Sequence, residues 1–421
     1  MTATIFTSIF IAALTLTTLT KLWLARRHLA YIAAHRAAVP EAFHEKIQLT
    51  DHQKAADYTS AKTRFGMLGT LFDTALLLVF TLAGGIQFIA GMVSSKLGNG
   101  WFSAPIMQGM ATIVAVMALY SLLEAPFNLY RTFVIEARFG FNKMTFTLYL
   151  IDALKGILIG AVLGLPLLFG VLWLMGRMGA YWWLYVWLVW VVFNLLILFI
   201  YPSFIAPLFN KFSPMQDEAM KSRIESLLNK CGFTAQGLFV MDGSKRSAHG
   251  NAYFTGFGKT KRIVFFDTLL ERLSINEVEA VLAHELGHFK RRHVVKRIAV
   301  TFALSLGFLW LLGLLMQTTW FYQGLGVTTP STALALLLFF MVLPVFSFLL
   351  APIMSAYSRK HEFEADAYAA RQTDAADLVN ALVKMYQDNA ATLTPDPLYS
   401  KFYDSHPPAM VRISHLQAHQ V

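Results

Sequence analysis

The chain has 421 residues, of which 56% are hydrophobic and only 14% are charged, and its mean hydropathy is +0.52. Soluble enzymes of this length carry more charge, so the composition excludes an ordinary soluble globular protein and indicates a membrane protein. The net charge of +10 suits contact with anionic lipid headgroups. We therefore expect membrane lipids as partners, and no nucleic acid.

Apolar stretches of about 20 residues, long enough to cross a bilayer, follow one another along the chain. The stretch 298–358 has no charge, and Pro330 in a Thr-Thr-Pro-Ser turn divides it into two crossings. The predicted crossings are 4–24, 67–93, 105–123, 156–176, 178–204, 298–316 and 332–356. The predicted fold class is mainly α, a polytopic membrane protein with about seven transmembrane helices and a small α+β domain.

The basic residues predict how these crossings are oriented. Lys and Arg gather after the first crossing, between the third and fourth, within 211–297 and in the tail, whereas the alternate loops hold only Lys96 and Arg177. Basic loops stay on the cytoplasmic side. We therefore expect the N-terminus outside and the C-terminus in the cytoplasm, with the first apolar stretch retained as an anchor.

The longest soluble segment, 211–297, is predicted to mix helix and strand. Residues 216–230 have the apolar spacing of an amphipathic helix, and Gly237–Met241 has the composition of a short strand. Residues 252–254 and 263–266 indicate two more strands joined as a hairpin. An exposed strand edge in this segment would suit a peptidase, because an extended substrate can add to it.

The sequence His284-Glu285-Leu286-Gly287-His288 is the strongest chemical signal in the chain. Residues four apart share a helical face, so both imidazoles can reach one metal ion, and Glu285 is placed to take a proton from a metal-bound water. Ser274 and Glu277 form a Ser-x-x-Glu capping box that predicts where this helix begins.

A hydrolytic zinc site takes three protein ligands and leaves one position for water. The class of zinc protease that continues with His-x-x-Gly-x-x-His is excluded, because Arg291 and Val294 stand at the matching positions. The other class takes a Glu from a separate helix. Downstream, Glu362 and Asp366 are four residues apart and share a face, so Glu362 is the candidate third ligand and Asp366 a residue that orients a ligand His. Glu364 projects to another face and is the weaker candidate.

Together, His-Glu-x-x-His and the later Ser-Arg-x-x-Glu-x-x-Ala-Asp resemble the signature pair of the type I CAAX prenyl endopeptidases, which are integral-membrane zinc proteases. Further stretches that agree are Phe139-Gly140-Phe141-Asn142-Lys143, Ile205-Ala206-Pro207-Leu208-Phe209-Asn210-Lys211, His249-Gly250-Asn251-Ala252-Tyr253-Phe254 and Ser405-His406-Pro407-Pro408. The resemblance extends from about Phe139 to Arg412. It implies one Zn²⁺ per chain, a water-filled chamber among the helices and cleavage of a peptide bond.

The resemblance also suggests residues that contact the substrate. It places Asn251 and Ala252 on the substrate-binding strand edge, although a turn-capping Asn is an alternative. It points to His406 as the catalytic donor that stabilises the oxyanion, with Tyr403 and Arg412 sharing that task or binding substrate. A surface position is the alternative for His406.

The expected organisation follows from these assignments. Residues 1–210 carry membrane helices 1–5, 211–297 the catalytic segment with the zinc-binding helix, 298–356 helices 6–7, and 357–421 the third zinc ligand. The predicted function is an integral-membrane zinc metalloendopeptidase that acts on a peptide or protein substrate, possibly prenylated.

The physiological setting stays open at this point. The short loops and the lack of an ER-retrieval tail favour a bacterial protein of the inner membrane, where quality control or peptide processing is as plausible as removal of residues from prenylated proteins. The alternative from another class is a transporter or scaffold with a structural metal site. It is disfavoured because a structural zinc site has four protein ligands and no need for Glu285, and because no paired internal repeats are visible.

Overall fold

The structure, a computed structural model, describes residues 1–97, 103–235, 237–255 and 262–418. Within these ranges, seven helical segments are long and apolar enough to cross a bilayer, which confirms the predicted number. They are Ala3–His35, Leu49–Phe80, Pro105–Glu136, Phe146–Arg177, Gly179–Phe209, His293–Leu315 and Thr332–Gln372. The chain is therefore mainly α-helical and multi-pass.

The membrane part is a bundle whose helices bury a shared apolar core. Its helices are α1 (Ala3–His35), α2 (Leu49–Phe80), α3 (Gly85–Leu97), α4 (Pro105–Tyr130, continued by a π-helical turn Arg131–Glu136), α5 (Phe146–Arg177), α6 (Trp182–Ile200, continued by a π-helical turn Tyr201–Ile205) and α7 (Ala206–Phe209). Phe10, Phe80 and Leu172 are among the residues that this core buries. Many other large apolar side chains face outward, as expected for a surface that contacts lipid.

The second crossing lies earlier in the chain than predicted. Helix α2 already begins at Leu49 and ends at Phe80, and the chain then turns through Gly84, whose φ of +80° favours glycine, into the short helix α3. The hydropathy of the stretch 67–93 concealed this break. As a consequence, Lys62 lies on a membrane-spanning helix and not in a loop.

The soluble part contains a four-stranded sheet beside the zinc-motif helix. Its elements are β1 (Phe212–Pro214), α8 (Glu218–Lys230), β2 (Gly237–Met241), β3 (Ala252–Thr255), β4 (Arg262–Phe266), α9 (Asp267–Leu270) and α10 (Ile275–Lys290). The strand order is β1-β2-β4-β3, with β2 parallel and β3 antiparallel to β4. Strand β3 thus forms one edge of the sheet. The predicted connection of the hairpin lies outside the described residues.

The remaining helices return through the bundle and close over α10. They are α11 (His293–Leu315), α12 (Thr319–Gln323), α13 (Thr332–Ser347), α14 (Ala351–Gln372), α15 (Ala375–Asp388), α16 (Pro397–Tyr403) and α17 (Ala409–Ala418). Helices α11, α12 and α13 contribute to the core of the membrane bundle, whereas α14, α15 and α17 share a core with the sheet: Val278 and Leu282 of α10 pack with Ile263, Leu378 and Ile413. This core surrounds α10, so the metal motif is held on a buried and rigid helix.

Candidate metal centre and active site

Helix α10 carries the first two candidate ligands. It starts at the predicted capping box, in which the Ser274 hydroxyl accepts from the Glu277 N–H and the Glu277 carboxylate accepts from the Ser274 N–H. His284 and His288 follow on one face, and their Nε2 atoms lie 3.1 Å apart. Because the capping box fixes where α10 begins, it also fixes the positions along the helix from which both imidazoles project.

The third candidate ligand comes from α14, which packs directly on α10. Its Glu362 carboxylate lies 3.3 Å from His288 Nε2 and 3.5 Å from His284 Nε2, and only 6% of the Glu362 side chain is exposed. These three residues form a group with donor atoms close enough to bind one metal ion. The sequence predicted this grouping from two motifs that are more than 70 residues apart.

The spacing of these donors fits a tetrahedral zinc ion. Ligand atoms about 2.0–2.1 Å from such an ion lie roughly 3.3 Å from one another. The two Nε2 atoms are 3.1 Å apart, Glu362 Oε1 lies 3.3 Å from His288 Nε2 and Glu362 Oε2 lies 3.5 Å from His284 Nε2, and one donor atom from each residue lies within 4.8 Å of the other two. In addition, Glu362 Oε2 is buried without a hydrogen-bond partner. A buried carboxylate oxygen without a partner is costly, and a cation at this point would satisfy it.

Asp366 and Arg412 support the site from behind. The Asp366 carboxylate lies 2.8 Å from His284 Nδ1 and is fully buried. Arg412 donates to both of its oxygens, from Nε at 2.9 Å and from Nη2 at 2.6 Å. Burial opposes protonation of His284, but its favourable interactions with the Asp366 and Glu362 carboxylates outweigh this and raise its pKa to about 9. A metal ion therefore competes with a proton for the His284 imidazole.

The structure places Arg412 differently from the prediction. Its guanidinium is buried against Asp366, with only 7% of the side chain exposed, and it does not line the cavity beside the metal group. The side-chain pair with Asp366 spans 46 residues of sequence, so no local pattern could reveal it. This position suits a residue that orients Asp366, and the predicted contact of Arg412 with substrate stays a prediction.

A second supporting chain, formed by His293 and Glu364, was missed in the sequence. His288 Nδ1 lies 3.0 Å from His293 Nδ1, and His293 Nε2 lies 3.0 Å from the Glu364 carboxylate. If His293 donates to Glu364, its Nδ1 accepts the His288 Nδ1–H and leaves His288 Nε2 available for a metal. His293 begins the next helix after a turn at Arg291 and Arg292, so helical spacing from His288 does not reveal this contact. Glu364 has this contact and is not one of the clustered ligands.

We expect His293→Ala to weaken metal binding about 10- to 100-fold, because partners that orient a ligand imidazole typically contribute that much. Competition with a chelator measures the affinity directly. The matched control is His44→Ala, in an exposed loop between α1 and α2, which should bind as wild type does. An unchanged affinity in the His293 variant would remove it from the site.

Gly287 sets the distance between α10 and α14. A Cβ added there would lie 2.9 Å from the Ala365 Cα and 3.0 Å from the Ala365 carbonyl oxygen. Both atoms belong to the backbone, so the helices themselves must move apart. Only glycine allows the ligands of the two helices to converge at this separation.

The substitution Gly287→Ala should therefore weaken metal binding. Overpacking costs about 1–3 kcal/mol, of which the better helix propensity of alanine recovers about 1 kcal/mol. The net effect should be a loss of about 1 kcal/mol in the free energy of unfolding together with a lower metal affinity. Gly160→Ala, where an added Cβ meets no atom within 4 Å, is the control. Equal metal affinity in both variants would contradict this role for Gly287.

Two of the candidate catalytic side chains, His406 and Tyr403, line a cavity that adjoins the metal group. Glu285 is half-buried on α10 between the two ligands. His406 Nε2 lies 3.5 Å from Glu362 Oε1, and Tyr403 lines the same cavity as His406. Although His406 is open to that cavity, the protein around it lowers the pKa of the imidazole, and burial raises the pKa of Tyr403 to about 12. Both side chains are therefore neutral hydrogen-bond donors near pH 7.

Asn251 and Ala252 lie at the start of the edge strand β3. The Ala252 N–H donates to the Asn251 side-chain oxygen at 2.9 Å, and the Asn251 carbonyl accepts from the Phe266 N–H at 3.0 Å. The first contact is the local one expected of a turn-capping Asn. The Asn251 side chain is also exposed, and its predicted role in substrate binding stays a prediction.

The comparisons with known proteins cover nearly the whole chain. Residues 28–211 match the family described as "CAAX prenyl protease N-terminal, five membrane helices", and residues 214–420 match peptidase family M48. A CAAX prenyl protease 1 homolog of Arabidopsis thaliana is 35% identical over 86% of both chains. CAAX prenyl protease 1 of Saccharomyces cerevisiae is 33% identical over 90% of this chain and 88% of its own.

The fold has a close counterpart among solved structures. The crystal structure of S. mikatae Ste24p superimposes with a TM-score of 0.92 at 30% identity, over 98% of this chain and 99% of that one. The similarity thus includes the membrane helices as well as the metal site.

Proposed function

The chain belongs to the type I CAAX prenyl protease family and is an integral-membrane metalloendopeptidase, and on this basis we propose that His284, His288 and Glu362 hold a catalytic zinc ion. The convergence of these three donors at 3.1–3.5 Å carries the proposal. Two imidazoles and one carboxylate are a donor set that favours zinc and leaves a position for water.

Each side chain around this group has a proposed task. A zinc ion held there would acidify a water molecule and polarise the scissile carbonyl. Glu285 takes the proton of the attacking water and passes it to the leaving amine. His406 and Tyr403, both neutral donors, hydrogen-bond to the carbonyl oxygen as it gains negative charge.

The supporting residues hold the ligands in one tautomer. Asp366 accepts the Nδ1–H of His284, so that Nε2 faces the metal, and Arg412 fixes the Asp366 carboxylate through two hydrogen bonds. We assign Arg412 this orienting role in place of the predicted contact with substrate. His293 and Glu364 orient His288 in the same way: His293 accepts the Nδ1–H of His288 and donates to the Glu364 carboxylate.

We propose that the substrate binds as an additional strand. Strand β3 has one neighbour, β4, among the described strands, so its other edge offers backbone donors and acceptors. Asn251 and Ala252, at the start of β3, are placed to contact such a strand. An extended peptide held there is fixed at several points of its main chain, which would orient its scissile carbonyl.

The substrate class and the setting are also proposals. The names of the relatives support proteins with an isoprenylated C-terminal Cys-aliphatic-aliphatic-x sequence as substrates. The distribution of basic residues supports an N-terminus outside and a C-terminus in the cytoplasm. The relatives reported above are eukaryotic, so a bacterial inner-membrane origin stays a prediction from the loops and tail alone.

The alternative of a transporter or scaffold with a structural metal site is not favoured. Among the described His, Cys, Asp and Glu side chains, the group holds three members and not the four of a structural zinc site. The family relationship also favours a protease over a transporter.

The test is cleavage of fluorogenic peptides that end in Cys-aliphatic-aliphatic-x, with and without a farnesyl group on the cysteine, by the purified full chain. The proposal predicts hydrolysis that depends on bound zinc and is faster for the farnesylated peptides. Equal rates for both forms would contradict the proposal that the substrate is prenylated, but would still support the assignment as a peptidase. Full zinc loading without cleavage of any peptide would contradict the proposed function.

A further inference from the structure

A cavity of about 600 Å³ lies between α1, α2 and the C-terminal segment. His406 and Tyr403 line it, and His406 Nε2 lies 3.5 Å from Glu362 Oε1, so the cavity adjoins the metal group. Lys21 of α1 and Lys62 of α2 line the same cavity. Its volume is within the 300–1,000 Å³ that is typical of ligand sites.

The wall that α2 contributes is polar and has room. The residues that face the cavity recur at helical spacing and are mostly hydroxyl-bearing or small: Thr59, Lys62, Thr63, Gly66 and Thr70. A Cβ added at Gly66 would meet no atom within 4 Å. This face is therefore open to a ligand and is not packed against a neighbouring helix.

Two ammonium groups within membrane-spanning helices need an explanation. Lys21 lies within the apolar stretch of α1, where an ionised Lys is costly and typically faces a water-filled path. Lys62 lies on α2 just before the apolar stretch that begins at 67. Lys62 donates to the Tyr58 hydroxyl at 3.3 Å and lies 4.5 Å from the centre of that ring, and Lys21 lies 4.9 Å from the centre of the Phe348 ring. Within the described part of the chain, neither forms an ion pair with a carboxylate.

The acidic groups nearby have other partners. Glu136 accepts from the Tyr58 hydroxyl at 2.7 Å and lies 3.8 Å from His249. Asp404 is the acidic residue of the cavity wall; Arg359 donates to its backbone carbonyl oxygen at 2.9 Å, and burial raises the pKa of its carboxyl. Asp73 accepts from the Tyr120 hydroxyl at 3.4 Å and, together with Lys21, lines the adjoining cavity. The cavity beside the metal group therefore has an excess of positive charge.

We propose that this cavity receives the residues that follow the scissile bond, and that Lys62 and Lys21 bind the free C-terminal carboxylate of the substrate. The inference rests on the proposed function, in which cleavage removes a short C-terminal peptide. Three extended residues span about 10 Å, so a carbonyl at the metal group and the carboxylate of the third residue after it would lie about that far apart. By binding the C-terminal carboxylate, the lysines would determine which peptide bond of the substrate lies at the metal group.

Two matched substrates test this inference: one farnesyl-cysteine peptide with a free C-terminal carboxylate and the same peptide as a C-terminal amide. The quantity measured is the ratio of their kcat/KM values on one preparation of the full chain, which does not depend on the fraction of folded enzyme. A charge-assisted hydrogen bond predicts that wild type prefers the acid by about 10- to 100-fold. In Lys62→Met/Lys21→Met we expect the ratio to fall to about 1.

Two further variants control for charge and for folding. Lys62→Arg/Lys21→Arg keeps both positive charges and should keep most of the preference for the acid. Lys54→Met removes a lysine of the same helix that lies outside this cavity, 5.2 Å from the centre of the Phe141 ring, and should retain the wild-type ratio.

The opposing outcomes are distinct. Retention of the acid preference in the double Met variant, or its absence in wild type, would overturn the inference and leave the proposed function standing. If the double Met variant instead loses only a dependence on anionic lipid, with the peptide ratio unchanged, the lysines bind lipid headgroups and the inference is wrong. Failure of wild type to cleave either peptide would remove the proposed function and this inference with it.

Discussion

Glu285→Gln should lower kcat/KM for peptide hydrolysis by about 100- to 10,000-fold, because general acid–base catalysis contributes about that much. Glutamine has nearly the shape of glutamate but cannot accept a proton from water. Glu285 is not one of the three clustered ligands, so the variant should bind zinc as wild type does. Steady-state cleavage of the farnesylated peptide and zinc content, measured on the same sample, check both statements.

Glu279→Gln is the matched control for that variant. Glu279 lies on the same helix but pairs with Arg223 at 2.6 Å, and its replacement should leave kcat/KM within about twofold of wild type. A Glu285→Gln enzyme that keeps more than a tenth of the wild-type activity would show that another group accepts the proton.

Arg412→Leu is expected to destabilise the folded protein by about 3–5 kcal/mol, because removal of one partner of a buried ion pair leaves the other charge uncompensated. The remaining charge is the fully buried carboxylate of Asp366, whose two hydrogen bonds from Arg412 would be lost. Because Asp366 also orients His284, the variant should bind zinc more weakly. Thermal unfolding in detergent and chelator competition measure the two effects.

An exposed ion pair provides the comparison. Arg272 lies 4.0 Å from Asp388 and 66% of its side chain is exposed, so Arg272→Leu should change the free energy of unfolding by less than about 1 kcal/mol. If Arg412→Leu is no more destabilising than this control, the Asp366–Arg412 pair does not support the site.

The features that could be predicted from the sequence are those with a local period or a fixed spacing. The capping box at Ser274, the helical placement of His284 and His288, and the amphipathic helix Glu218–Lys230 depend on residues within a few turns of one another. Glu362 lies far away in sequence, but its motif with Asp366 has a spacing of its own.

The features that escaped prediction depend on contacts between distant elements. Arg412 meets Asp366 only because α17 packs on α14, and His293 meets Glu364 only where α11 begins beside α14. Lys62 precedes the apolar stretch 67–93, and hydropathy does not reveal that helix α2 already begins at Leu49. In each case tertiary packing, and not a local pattern, decides what the side chain contacts.

The measurement that tests the central claim most directly is zinc K-edge X-ray absorption of the purified chain, together with zinc content in Glu362→Ala. A site of two imidazoles, one carboxylate and water predicts nitrogen and oxygen neighbours at about 2.0–2.2 Å, and no sulfur. Glu362→Ala should lose most of its zinc. Sulfur at about 2.3 Å, or full zinc content in Glu362→Ala, would contradict the assignment of His284, His288 and Glu362 as the catalytic metal ligands.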